Sequence, residues 1–199
     1  TWMRYILISF SSAIVANSEQ GANYWRQSLI VNNNKVFIIK NCIETSKINK
    51  ANSVLLDRSD KPKHCLLSVG RLVNGKSVDT LIRAIPYCLN KNNIHVLILG
   101  QGDLQGELES IIKTLGLNKH ITIMPYQQEW YGMLKSATAL VSMSEFEGTP
   151  NVLLEAVHAG CPVIVSDIQE HREIFDNKSA YFCDNCRRCL YFFLNLCKQ

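Results

Sequence analysis

Absences narrow the reading of this sequence before any motif does. No run in its 199 residues is long and apolar enough to cross a membrane as a helix. No block of lysine or arginine is long enough to line a nucleic-acid groove or grip an anionic bilayer; the net charge of +4 is spread along the chain. Such a mild basic balance suits a small phosphate-bearing ligand instead. There is no internal repeat and no low-complexity tract. The five histidines, His64, His95, His120, His158 and His171, fall at no triad or metal spacing and read as structural or surface residues. No acidic pair resembles a metal site. Charged residues make up 19% and apolar residues 47%, which excludes a disordered chain.

Eight cysteines are present. Cys42, Cys65, Cys88 and Cys161 lie scattered inside apolar stretches, and read as small buried hydrophobes in a reducing compartment rather than as a disulfide framework. Cys183, Cys186, Cys189 and Cys197 form a run that resembles part of an iron–sulfur or zinc ligand set. The distance to Cys197 does not fit the common ferredoxin pattern, and Tyr191 to Leu194 reads as helix, so incidental thiols are expected there. The start, Met3-Arg4 followed by Tyr5 to Val15, has the outline of a short signal peptide. A helix running into a strand is the competing and preferred reading.

From Cys65 onward short β-rich runs alternate with helical spacing. The runs are Cys65–Val69, Ile94–Leu99, Ile121–Met124, Ala139–Met143 and Val163–Ser166. Between them Val78, Leu81, Ile82 and Ile85 share a helical face, which Pro86 should end early. Leu104, Leu108, Ile111, Ile112 and Leu115 form a second stripe, with Asp103 as the expected N-cap and Gly116 as the stop. Trp130, Met133, Leu134 and Ala137 make a third, and Val152 to Ala159 a fourth. This alternation predicts an α/β fold: a Rossmann-like parallel sheet with helices on both faces. Upstream, Ser11–Asn17 and Val36–Ile39 are strand-like, and Glu44 to Lys63 is polar and reads as a linker. The expected division is therefore 1–35, 36–63 and 64–199.

Ligands bind such sheets at the carboxyl ends of the strands, so the loops there are the place for chemistry. Four are rich in glycine or acid: Val69-Gly70-Arg71 with Lys76, Gly100-Gln101-Gly102-Asp103, Ser144 to Asn151, and Ser166-Asp167. In the third, Gly148 and Pro150 break the chain and Asn151 opens a helix whose unpaired amides and dipole favour an anion. Glu155 lies one turn inside that helix within an apolar run. A carboxylate there needs good hydrogen-bond partners, which a ribose diol could supply, as could a backbone group or a neighbouring base. Gly70 permits close backbone approach, and Arg71 and Lys76 supply cations for a diphosphate.

Taken in order, these residues carry a resemblance. Leu67-Ser68-Val69-Gly70-Arg71-Leu72, Lys76, Gly100-Gln101-Gly102, Ser144, Glu147-Gly148-Thr149-Pro150-Asn151-Val152-Leu153-Leu154-Glu155-Ala156 and Gly160-Cys161-Pro162-Val163-Ile164 closely resemble the carboxyl-terminal domain of the GT-B glycosyltransferases often called family 4, the group-1 glycosyltransferase domain. Glu147 and Glu155 match its E-x7-E signature in register. The resemblance covers roughly Ser11 to Phe182.

It implies a retaining transfer of a sugar from a nucleotide-diphosphate donor to a saccharide or lipid-linked acceptor, in cell-surface polysaccharide synthesis at the cytoplasmic face of a membrane. It implies that Arg71 and Lys76 neutralise the leaving diphosphate and that Glu147 holds donor-sugar hydroxyls. Gly70 and the backbone from Gly148 through Thr149, Pro150, Asn151 and Val152 to Leu153 would meet sugar and phosphate, and Glu155 would bind the ribose. No metal or other cofactor and no nucleic-acid partner are expected; peripheral membrane association is. The sequence departs from the family at Lys40 and Cys42, where proline and glycine are usual. Most of the amino-terminal, acceptor-binding domain is expected to lie outside this chain, and the carboxyl-terminal domain to be cut short.

Two other readings compete. Gly70-Arg71-Leu72-Val73-Asn74-Gly75-Lys76-Ser77 fits the P-loop pattern G-x4-G-K-[ST], after a strand and before a helix, and would make a nucleoside-triphosphate-binding protein. Leu72 and Val73 suit a phosphate nest poorly, and the P-loop leaves Glu147 and Glu155 unexplained. The other reading is a non-catalytic remnant that keeps the donor-domain fold.

Overall fold

The computed structural model describes residues 6–8, 10–28, 31–53, 62–89, 93–127, 130–184 and 190. Two sheets organise them. The smaller pairs β1 (Ile14–Ala16) with β2 (Val36–Ile38) in parallel, with Val15 opposite Phe37. Helix α1 (Glu19–Arg26) covers them, its start capped by the Ser18 hydroxyl, which accepts from the Gly21 amide at 3.1 Å. The core of this unit is small: Ala16, Ala22 and Val36.

The larger sheet has six strands, all parallel: β3 (His64–Val69), β4 (Ile94–Leu99), β5 (Ile121–Met124), β6 (Ala139–Ser142), β7 (Val163–Ser166) and β8 (Tyr181–Cys183). Their order is β5-β4-β3-β6-β7-β8. The chain builds outward from β3 in one direction and then, from β6, in the other. Successive strand residues feed opposite faces. Leu66, Val96, Ile98, Ala139, Val141 and Ile164 pack under α3 (Val78–Ala84) and α5 (Gln105–Thr114). Leu67, Leu97, Leu99, Leu140, Val163 and Val165 pack under α6 (Trp130–Ser136) and α7 (Asn151–His158). All six residues of β4 are buried, as a central strand covered on both sides requires. Among the described residues no helix is long and apolar enough to cross a membrane.

The expected elements are found, with differences at their ends. α3 stops at Ala84 and a separate turn of helix, α4 (Pro86–Leu89), follows, because Pro86 cannot continue the hydrogen-bond ladder. Gly116 ends α5 at φ +67°, and the Leu117 amide reaches back to the Ile112 carbonyl at 2.9 Å, closing a Schellman turn. Asp103 is not the N-cap of α5. The Leu104 amide is drawn to the Leu72 carbonyl at 3.0 Å, so Asp103 stays in the exposed turn and Leu104 takes the cap position without a side-chain bond.

The stretch read as linker holds α2 (Thr45–Lys50), whose one buried side chain, Ile48, wedges it against α6 and α7. A single apolar anchor leaves no period to read. β8 and α8 (Gln169–Arg172) were also not anticipated. β8 is a three-residue edge strand, and its half-buried Phe182 packs against the core on one side and lies beneath the Arg172 guanidinium at 3.5 Å on the other, too short a run to show a period.

Candidate active site

The sheet order reverses between β3 and β6, and a crevice opens there at the strands' carboxyl ends, as it must where adjacent loops leave in opposite directions. It holds a cavity of about 450 Å³. One wall is the β3 exit with Gly70, Arg71 and Lys76; the other is the β6 exit with Glu147, Thr149, Pro150, Asn151, Val152 and Leu153.

The first wall is held by backbone. The Gly70 amide donates to the Leu99 carbonyl at 3.0 Å and the Leu72 amide to the Gln101 carbonyl at 2.9 Å. This close approach explains Gly100-Gln101-Gly102. A Cβ on Gly100 would sit 1.9 Å from the Gly70 carbonyl oxygen, and one on Gly102 would sit 2.3 Å from that of Leu72. The glycine pair at the β4 exit braces the β3 exit. The same bonds set aside the P-loop pattern: the Leu72 amide is turned to Gln101, the Lys76 amide to the Val73 carbonyl at 3.2 Å, and Leu72 itself is buried. Two of the amides a phosphate nest would draw on are thus engaged within the protein. Ser77 completes the bracing with a left-handed backbone, φ +45°, and its hydroxyl donates to the Glu145 carboxylate at 2.7 Å.

The second wall ends in α7, whose amino terminus has no acidic residue in its first turn and no side-chain cap. Its positive dipole end therefore faces the cavity unneutralised. Across the crevice the Lys76 ammonium pairs with the Glu147 carboxylate, their side chains 27% and 12% exposed. Glu147 Oε1 also accepts the Ser144 hydroxyl at 2.7 Å. In a pair this partly buried, removing Lys76 would leave the more enclosed Glu147 carboxylate without its cation.

Of the residues expected at the site, Gly70, Arg71, Lys76, Glu147, Thr149, Pro150, Asn151, Val152 and Leu153 line the cavity together. Gly148 does not line it: a Cβ there would touch the Asn17 side chain at 3.4 Å. Glu155 does not line it either. It sits half-buried one turn along α7, and its Oε1 accepts the Tyr131 hydroxyl at 3.1 Å. Burial raises the Glu155 pKa above the carboxylate norm, and the Tyr131 bond pulls it back in part. Burial, with the charge of Glu155 beside it, pushes the Tyr131 phenol up to about 12. Tyr131 therefore donates and stays neutral.

Residues the sequence did not single out also shape the site. Thr149 donates to the Asn17 carbonyl at 2.6 Å and Asn41 to Asn151 at 3.0 Å, so the small unit grips the second wall. These polar residues carry no periodic signal. His171 is fully buried behind Glu147, and burial lowers its pKa. Cys183 is buried in β8, while Cys186, Cys189 and Cys197 lie outside the described residues. Among the described residues no group of three or more histidine, cysteine, aspartate or glutamate side chains is placed to hold a metal ion.

Comparison with known proteins agrees with this architecture. An N-acetylgalactosamine-N,N'-diacetylbacillosaminyl-diphospho-undecaprenol 4-alpha-N-acetylgalactosaminyltransferase from Campylobacter jejuni is 32% identical over 171 residues, 85% of this chain and 46% of that protein. The chain thus spans less than half the length of that relative. The structure of Anabaena HepE, solved with UDP and glucose, superposes with a TM-score of 0.79 at 17% identity, covering 100% of this chain and 58% of HepE. Staphylococcus aureus TarM, solved with UDP among its ligands, gives 0.79 at 21% identity over 97% of this chain and 39% of TarM. These two likenesses establish the GT-B fold. The sequence profile of the glycosyl transferases group 1 matches residues 56–188, two thirds of the chain, and the chain belongs to that family.

Proposed function

We propose that residues 64–199 form the donor-binding portion of a retaining glycosyltransferase, which takes a sugar from a nucleotide-diphosphate sugar and passes it to a saccharide or lipid-linked acceptor. One observation carries this reading: Arg71, Lys76, Glu147 and the uncapped start of α7 converge on a single cavity at the switch point of the sheet. Cation and carboxylate in one crevice suit a ligand that is anionic at one end and rich in hydroxyls at the other.

In the transfer, negative charge develops on the leaving diphosphate. Arg71, Lys76 and the first amides of α7 meet that charge from fixed positions, which stabilises the transition state with little reorganisation. Diphosphate binding draws Lys76 toward phosphate and frees Glu147 to accept donor-sugar hydroxyls. Glu155 offers its second carboxylate oxygen to the ribose, the first being held by Tyr131. The cationic wall supplies the charge compensation, so the reaction needs no metal ion. The acceptor enters from the side of residues 1–35, which belong to the amino-terminal half of the cleft. The protein acts in the cytoplasm, peripherally associated with the membrane that carries its acceptor. Support for cell-surface polysaccharide synthesis comes from relatives such as the Staphylococcus aureus capsular polysaccharide biosynthesis glycosyltransferase CapH, 30% identical over 151 residues.

Calorimetric titration with UDP, GDP and ADP and their sugar conjugates, in chelator and in magnesium, tests the reading. Binding of one nucleoside diphosphate independent of metal supports it, with Glu155→Ala weakening that binding. A folded protein that binds none of them, or binds only magnesium-ATP, refutes it.

A further inference from the structure

Behind the second wall lies a chain of buried polar groups that the transfer chemistry does not itself use. It starts at His171 on α8, which is 0% exposed. His171 Nδ1 lies 2.8 Å from the Ser166 carbonyl oxygen at the end of β7. A carbonyl can only accept, so Nδ1 carries the proton. Nε2 has no partner among the described residues. A proton there would be a buried donor left unsatisfied, which is costly, whereas a bare lone pair costs less. The ring is thereby fixed as the neutral Nδ1–H tautomer, in keeping with the lowering of its pKa by burial.

The chain continues from β7 to β6. With Nδ1–H committed to the Ser166 carbonyl, the Ser166 hydroxyl, 3.4 Å from the same nitrogen, directs its own proton to the Ser144 carbonyl. Ser144, 1% exposed, donates its hydroxyl to Glu147 Oε1 at 2.7 Å. Beside His171, the buried Glu170 carboxylate accepts the Glu147 backbone amide at 3.4 Å. Glu147 is therefore held at its backbone by Glu170 of α8 and at its side chain by Ser144, whose own backbone is tied to Ser166 at the neighbouring strand's exit.

We propose that His171 is a positioning residue for Glu147, acting through Ser166 and Ser144. By pinning the Ser166 carbonyl at the end of β7 it holds the Ser166 hydroxyl on the Ser144 backbone, and so sets where the Ser144 hydroxyl places the Glu147 carboxylate against the donor sugar. The inference rests on the reading of Glu147 as the group that holds sugar hydroxyls. It predicts a separation that a merely structural histidine would not produce: the sugar's share of donor affinity depends on His171, and the nucleotide's share does not.

The test compares UDP with the tightest-binding of UDP-glucose, UDP-galactose and UDP-N-acetylglucosamine in wild type, His171→Leu, His171→Asn and Ser166→Ala. Asparagine keeps a donor where Nδ1 stands; leucine does not. His171→Leu and Ser166→Ala should each weaken the sugar nucleotide about tenfold while UDP stays within about twofold, a selective loss of roughly 1.4 kcal/mol at the sugar end. His171→Asn should restore the sugar nucleotide to within about threefold, as one retained hydrogen bond of ordinary strength would. Equal loss of both ligands, or no loss of either, overturns the proposal. If His171→Leu does not fold, Ser166→Ala decides by the same criterion. A second readout needs no donor, and so separates failure of this inference from failure of the donor reading. Nitrogen NMR of the His171 ring at neutral pH should give the neutral Nδ1–H tautomer; an Nε2–H tautomer or a charged ring contradicts the chain of bonds on which the proposal stands.

Discussion

Gly102 and Gly106 lie four residues apart, yet alanine should act in opposite directions at the two. At Gly102 the new Cβ would fall 2.3 Å from the Leu72 carbonyl oxygen, 2.6 Å from its carbon and 2.9 Å from the Leu72 nitrogen. All three are backbone atoms, so no side chain can swing aside. Relief requires the two loops to part, and the Leu72–Gln101 and Leu104–Leu72 bonds, 2.9 and 3.0 Å long, are the ones that suffer. Overpacking costs about 1–3 kcal/mol, and each weakened hydrogen bond adds about 1 kcal/mol, so a loss of roughly 3 kcal/mol is expected. In a domain of this length that lowers Tm by about 6–12 °C. At Gly106, on the exposed start of α5, nothing lies within 4 Å, and alanine gains about 0.5–1 kcal/mol of helix propensity. Thermal melts of Gly102→Ala and Gly106→Ala, with nucleotide titration of each, make the comparison. Gly102→Ala should also lose donor affinity, because the displaced loop carries Gly70 and Arg71. A Gly102→Ala protein that melts and binds like wild type would refute the bracing argument.

Other perturbations follow from the same geometry. Trp130 is 1% exposed and fills the core under α6 and α7, so Trp130→Ala should cost about 3–5 kcal/mol in denaturant unfolding. Trp130→Phe should cost less than half of that, since it keeps most of the ring and discards an indole N–H with no partner among the described residues. Ionised Glu155 is held in a half-buried position that raises its pKa, so Glu155→Gln should raise Tm near neutral pH while weakening nucleotide binding. That gain should shrink as pH falls through the raised folded pKa toward 4.5, where the wild-type side chain becomes neutral too. His171 has the opposite sense. Its folded pKa lies below the ordinary 6.5, so the unfolded chain takes up a proton that the folded protein refuses, and stability falls as pH drops below 6.5. Urea unfolding at about pH 5.5 and about pH 7.5 should show this dependence, and His171→Asn should flatten it; an equally steep dependence in the variant would contradict the assignment.

Much of the fold was legible in the sequence because the larger sheet is built from strong local signals. β4 and β5 follow the β-rich runs Ile94–Leu99 and Ile121–Met124 residue for residue, and Gly116 and Pro86 punctuate their helices for reasons of backbone chemistry alone. The walls of the cavity were legible as well, since glycine, lysine and the break before Asn151 sit at strand ends. Elements fixed mainly by tertiary contact escaped. α2 rests on Ile48, α1 buries only Ala22, and β8 is an edge with Phe182 under Arg172. The same reason hid the support of the site. Asn17 and Tyr131 are single polar residues distant in sequence from the groups they hold, and no spacing rule joins them. Ser166 sits at a strand end that the sequence does mark, but its bond across to Ser144 is not legible there. His171 looked like any core histidine until its neighbours were in place. Asp103, in contrast, had the right residue type for a cap and lost that role to a backbone bond from Leu104.

The central claim is that a nucleotide diphosphate sits between the exits of β3 and β6. Amide NMR of the isotopically labelled chain, titrated with UDP and with the other nucleoside diphosphates in the presence of chelator, addresses it residue by residue. The expected result is a saturable shift confined to the amides of Gly70, Arg71, Asn151 and Val152 and their immediate neighbours, abolished when Lys76 is replaced by alanine. Shifts centred on another face of the sheet, or none at saturating nucleotide, would contradict it.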